Sequence, residues 1–187
     1  MITNKNRKKT LKLTVEEMRN FSFSYIEKYA PSKQQLKTYL LKKYLKGSIP
    51  TIKKTDVNNL IDIVISDLEK TKFISDKFYS ESKAKNLIQR GSSINKIRSY
   101  LFSKGISSEY IKNTINKINE NNEDQDFFSA IKICKKKRIG PARIEDNRTL
   151  FYKKDISILA RNGFDFGISK KVMDLNKDEY LKIINLL

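Results

Sequence analysis

The segment Ile94 to Ile115 lies over Tyr152 to Met173 without a gap, and this internal repeat constrains the fold more than any other feature of the chain. Leu101 meets Leu159, Gly105 meets Gly163, Ile106 meets Phe164 and Ile115 meets Met173. A less complete copy runs through Ser32, Leu36, Leu40 and Lys43, then resumes at Leu60, Val64 and Leu68 beyond an insertion. Three units of roughly 50 residues follow, the scale of helical repeat arrays.

Each unit reads as three helices. Ile94, Ile97 and Leu101 sit at helical spacing, and Gly105 or Gly163 follows the last apolar residue where a left-handed position ends a helix. The apolar residue after that glycine can fold back on the preceding turn, and Ser107 or Ser108 then caps a third helix carrying Ile111, Ile115 and Ile118. Thr14 with Glu17, and Ser32 with Gln35, have the spacing of capping boxes. The expected fold is all-α, three tandem three-helix repeats forming an elongated, curved array. A basic flexible arm covers 1–13; the repeats cover 14–72, with a loop insertion at 46–56, then 73–122 and 123–187. A second irregular connection is expected at 139–149, around Gly140-Pro141. The first helices of the units carry aromatic faces (Phe21, Tyr25 and Tyr29; Phe78 and Tyr79; Phe127 and Phe128), which are read as core. Cys134, seven residues after Phe127, reads as a buried small hydrophobe.

Composition narrows the chemistry. The 187 residues include no His and one Cys, so the commonest general base, the commonest metal ligand and any disulfide framework are missing. No Gly-rich loop ending in Gly-Lys-Ser/Thr is present, and no carboxylate pair sits in an apolar setting. No enzyme, cofactor or metal site is expected. The longest apolar run, Leu60 to Ile65, is short and interrupted by Asp62, so no membrane span is expected, and a cytoplasmic location follows from the absence of a secretory pattern.

Lys and Arg number 39 against 21 Asp and Glu, a formal net charge of +18. Lys accounts for 31 of the 39, as a genome rich in A and T codons would favour, but such a bias does not explain where the charge falls. Residues 31–55 hold seven Lys and no acid, and 132–154 hold nine Lys or Arg against Glu145 and Asp146, whereas 120–126 is an acidic break. Basic clustering of this kind points to a polyanion as partner. Arg90, Lys96, Arg98 and Lys104, with Lys135, Lys136, Lys137, Arg138 and Arg143, lie in the densest stretches that the repeat also places on helix faces or ends. They are the candidate polyanion-binding stripe.

From Phe73 to Gly105 the chain reads Phe-Ile-Ser-Asp-Lys-Phe-Tyr, then Gln-Arg-Gly, then Ile-Asn-Lys-Ile-Arg-Ser-Tyr-Leu-Phe-Ser-Lys-Gly. This resembles the bacterial regulatory protein RecX family, in which an aromatic and an acidic pair open a helix, a basic residue and Gly follow, and an Ile-x3-Leu-x3-Gly helix comes next. Tyr25 to Leu40 resembles that family's opening helix pair and Leu159 to Phe164 its last. The acidic pair is here Ser75-Asp76, the first repeat carries the extra loop, and the third is loosely matched between Lys135 and Lys153. The resemblance implies three tandem three-helix repeats and a monomer that binds the RecA nucleoprotein filament along its groove, touching single- or double-stranded DNA through the basic stripe. It also implies restraint of recombination and the SOS response.

Two other readings compete. A Lys-rich solvated face needs no partner, because long Lys stems cover apolar surface on any helix. A plain nucleic-acid binder of helix-turn-helix type fits the size of the Ile97 to Ile118 hairpin. Its third helix, however, offers Lys112, Asn113 and Lys117 rather than an Arg-rich base-reading face.

Overall fold

The computed structural model describes residues 11–47, 53–122 and 124–187. Positions 1–10 of the expected arm and 48–52 of the expected insertion lie outside the described residues. Among the described residues every regular element is helical. The first three are α1 (Val15–Tyr29), α2 (Lys33–Gly47) and α3 (Lys54–Lys70). Then come α4 (Asp76–Gln89), α5 (Ile94–Ser103), α6 (Ser108–Asn121) and α7 (Gln125–Lys137). A 3-10 turn at Gly140–Ala142 leads into α8 (Glu145–Arg161), α9 (Phe166–Met173) and α10 (Lys177–Ile184). The two expected loops are therefore shorter than their sequence suggests. Helix covers Lys46 and Lys54 to Asp56 at the edges of the insertion, and α8 begins at Glu145, where Glu145 and Asp146 favour a helix N-terminus.

The chain forms two compact units, one up to Tyr79 and one from Ser80 onward, with the division falling inside α4. In the first, α1, α2 and α3 pack on one another around Met18, Leu36, Leu40, Tyr44, Val57, Ile61, Val64 and Leu68. In the second, α7, α8 and α9 enclose Ile131, Cys134, Ile139, Leu159, Phe164, Val172 and Met173, with Tyr180 of α10 completing the cluster. Burial pushes the Cys134 thiol up to about 12, with the Asp155 charge adding to the effect, so this sulfur stays protonated and packs as a hydrophobe. The aromatic faces are only partly core. Met18, Tyr79 and Phe127 are buried, but Phe78 is 73% and Tyr29 53% exposed.

The helix ends follow local chemistry. Gly105 has φ 75° and Gly163 φ 88°, a conformation that costs glycine nothing and a residue with a Cβ more. The Ile106 N–H donates to the Leu101 carbonyl and the Phe164 N–H to that of Leu159, which folds both apolar residues back into the core. Ser32 and Gln35 form the reciprocal box, with the Ser32 N–H on Gln35 Oε1 at 3.1 Å and the Gln35 N–H on Ser32 Oγ at 3.2 Å. Thr14 makes half of one: its hydroxyl accepts from the Glu17 N–H, while the Glu17 carboxylate takes the Lys12 N–H.

A second device at helix starts joins distant parts of the chain. The Lys33 N–H at the start of α2 donates to Asp76 Oδ1 at 2.9 Å, and the Ile94 N–H at the start of α5 donates to Asp126 Oδ1 at 2.7 Å. Each carboxylate stands in the first turn of a later helix and meets the positive end of an earlier one. The pairs are 43 and 32 positions apart, the longer span running through α2 and α3 of 15 and 17 residues, the shorter through α5 and α6 of 10 and 14.

Candidate nucleic-acid interface

The candidate cations all lie in the second unit, and its packing decides what each can do. Arg90 follows the last residue of α4 and is exposed. The turn it opens is clamped on α7, because a Cβ built on Gly91 would stand 3.0 Å from the Ser129 carbonyl oxygen and 3.1 Å from the Lys132 Cβ. That clamp sets the Arg90 turn against Lys132, a cation that the sequence shows only as one of a basic run.

At α5, Ser93 Oγ accepts the Lys96 N–H and donates to the Asn162 carbonyl at 2.9 Å, so one hydroxyl caps α5 and ties it to the end of α8. Asn95 Nδ2 donates to the Gly163 carbonyl at 3.2 Å, and Lys96 Nζ to Asn162 Oδ1 at 3.3 Å. Lys96 thereby reaches the residue that follows the exposed Arg161 at the end of α8. Arg98 donates from Nη1 to Asn95 Oδ1 at 3.0 Å and is exposed, and its field reaches Asp126. Lys104 is the C-cap of α5, with its ammonium 5.2 Å from the Tyr100 ring centroid. The side-chain partners of Lys96 and Arg98 are neutral amides, which fix position without cancelling charge.

Lys135, Lys136 and Lys137 form the last turn of α7, where cations are favoured by the negative end of the helix, and all three are exposed. Arg138 follows in the left-handed conformation at φ 52°.

Arg143 behaves differently from the rest of the stripe. Its Nε donates to Asp155 Oδ2 at 2.6 Å and its Nη2 to Asp155 Oδ1 at 2.8 Å, while the guanidinium lies 4.5 Å from the Phe151 ring centroid. Asp155 is fully buried and also accepts the Gly140 N–H at 2.8 Å. Burial alone would raise its carboxyl, but the Arg143 hydrogen bonds, the Gly140 N–H and nearby positive charge hold it below the usual carboxylate range. The hydrogen bonds to Asp155 in turn raise Arg143. This bidentate pair meets the charge of Arg143 and braces the 3-10 turn against α8, which sets Arg143 apart from the other cations of the stripe. Arg148 is also spoken for, donating from Nη2 to the Met173 and Leu175 carbonyls at 2.9 and 2.6 Å.

Between α5 and α6 runs a groove with an apolar floor of Phe102, Ile111 and Ile115 and basic rims at Arg98 and Lys112. Phe102 is 72% exposed. Phosphate can meet the rims, and an apolar side chain can meet the floor. Among the described residues no cluster of His, Cys, Asp and Glu could hold a metal ion, and no helix is long and apolar enough to cross a membrane.

No protein-family model matches the chain. No solved structure matches it. The chain is similar to Regulatory protein RecX of Myxococcus xanthus (strain DK1622), with 29% identity over 176 residues, or 90% of each chain. The similarity thus runs far beyond the Phe73 to Gly105 segment that carries the resemblance, over nine-tenths of the chain.

Proposed function

We propose that the protein regulates recombination by binding the RecA nucleoprotein filament and restraining its activity, acting on a partner's chemistry and not as an enzyme itself. The observation that carries this reading is the near full-length similarity to a protein named a RecX regulator. The surface supports it. Arg90, Lys96, Arg98 and Lys104 with Lys135 to Arg138 are the cations offered to the DNA of the filament, and the α5–α6 groove offers apolar floor to its protein. Arg143 is left to its structural pair.

The three-repeat organisation, with boundaries near 72 and 122, belongs to the same proposal. It is supported by the two distant aspartate caps, each of which joins the start of one helix to the first turn of a helix further along the chain. The 122 boundary leaves no seam in the second unit because Asp126 and the Gly91 turn lock α5 and α4 to α7.

Cosedimentation with RecA filaments assembled on single-stranded DNA, against naked DNA of the same length, tests the reading. The parent should bind filaments more tightly than naked DNA. Joint reversal of Arg98 and Lys104 to Glu should weaken filament binding and flatten its salt dependence by about 0.7 per lost phosphate contact, with helicity unchanged. Equal binding to filament and naked strand would favour the plain nucleic-acid binder. Unchanged affinity and slope in the double variant would move the contacts elsewhere.

A further inference from the structure

The first unit carries a cluster of aromatic rings at the margin of its core. Tyr25 of α1 stacks on Tyr39 of α2 with centroids 4.0 Å apart and planes 8° from parallel, and Tyr29, one turn further along α1, lies 4.8 Å from Tyr25. The interior between α1, α2 and α3 is filled by Met18, Leu36, Leu40 and Tyr44, all fully buried. Tyr25 and Tyr39 lie at its margin, half-buried, and Tyr29 is 53% exposed. Lys43 Nζ stands 3.9 Å over the Phe21 ring and 5.9 Å from that of Tyr39, and Lys28 Nζ 5.3 Å from that of Tyr29.

The charge around these rings is one-sided. On α2, Lys33 and Lys37 reach Glu69 and Asp62 of α3 at 2.9 and 2.8 Å. Among the described residues, Lys42, Lys43 and Lys46 on the same helix, and Lys28 on α1, take part in no ion pair. The acid of α1 that shares the Phe21 side, Glu17, lies a turn before it, at the end away from Tyr29, with its carboxylate on the Lys12 N–H.

We propose that Tyr25, Tyr29 and Tyr39 with Lys28, Lys42 and Lys43 form a stacking site for single-stranded nucleic acid. Bases stack on aromatic faces whatever their sequence, and cations beside those faces follow the phosphates, which is how sequence-tolerant single-strand sites work. A duplex offers no free base face to such a platform, and an acidic protein segment would use the cations but not the rings. The site lies in the unit that supplies none of the proposed filament cations, so its success or failure is separable from that reading.

The chain contains no Trp, so Tyr29→Trp introduces a single reporter at an exposed position. Oligothymidylate should quench its emission, whereas an abasic oligomer of the same length, with the phosphates but no bases, should bind more weakly and leave the emission unchanged. Tyr29→Ala should lower affinity for oligothymidylate by about 5- to 150-fold, the loss of one stacked base, and leave affinity for the abasic strand unchanged. Circular dichroism confirms that both variants keep the parent's helicity. Equal quenching by the abasic strand or by a duplex, absence of quenching by oligothymidylate, or parental affinity in Tyr29→Ala would each overturn the proposal.

Discussion

The two units differ in how deep their ion pairs reach. In the first, cations that face a neighbouring helix meet acids near the surface: Arg19 with Asp67, Lys33 with Glu69 and Lys37 with Asp62. The second has surface pairs too, Lys117 with Glu81 and Lys171 with Asp124, but adds one deep pair, Arg143 with Asp155, while Lys96 and Arg98 are steadied by asparagines and keep their charge. Exposed pairs add little to stability because water and salt screen them, whereas half of a buried pair cannot be removed without stranding the other half. A high net charge therefore says little about function until each cation's partner is known.

The sharpest way to break this contrast is to remove one acid from each unit. Asp155→Ala should lower unfolding free energy by about 3–5 kcal/mol, leaving the Gly140 N–H and Arg143 unsatisfied, and Asp62→Ala by no more than about 1 kcal/mol. Urea titrations measure both, and comparable losses would erase the distinction. The Asp155 carboxyl is held below its ordinary range, so its contribution is complete above the unfolded-state value and is lost as pH falls through the folded one.

A smaller effect separates a free turn from a tied one. Gly105→Val should cost about 1 kcal/mol for placing a β-branched residue in the left-handed region. Gly163→Val should cost more, since its Cβ would meet Ser93 Oγ at 2.5 Å, the hydroxyl that joins α5 to α8. Thermal melts that rank the two the other way would show that the α5–α8 tie contributes little.

The smallest effect concerns the aspartate caps. Burial raises the Asp76 and Asp126 carboxyls, with the Lys33 and Ile94 N–H groups opposing. A raised folded-state value means that stability declines as pH climbs from the unfolded to the folded value. Asp126→Asn keeps the acceptor and removes the charge, so it should change stability at neutral pH by less than about 1 kcal/mol and flatten that decline. Chemical denaturation across a pH series from the ordinary carboxylate range up to neutrality measures it. A full cap loss instead would mean that the charge, and not the acceptor, holds α5.

What the sequence made legible was local. The Gly105 and Gly163 turns, the Ser32–Gln35 box and the burial of Cys134 each depend on residues within a few positions of one another. Other features required knowing which helices meet. Asp126 reads as part of an acidic break and acts as the cap of α5, 32 residues earlier. Arg143 reads as one more cation in a basic run and is bound to Asp155, twelve positions on and past the 3-10 turn. Phe78 fits a helical apolar spacing yet faces outward, because spacing identifies a face without saying whether a neighbour covers it.

The aspartate caps also set an order of events during synthesis. As the chain leaves the ribosome, α5 emerges before the residue that completes its first turn, and the Ile94 amide stays with water until α7 follows. The same holds for α2, which waits for Asp76 while the insertion and α3 go by. Each stretch of nascent helix is thus finished by sequence translated later, and a nascent chain stalled short of Asp126 would carry an α5 that frays from its start.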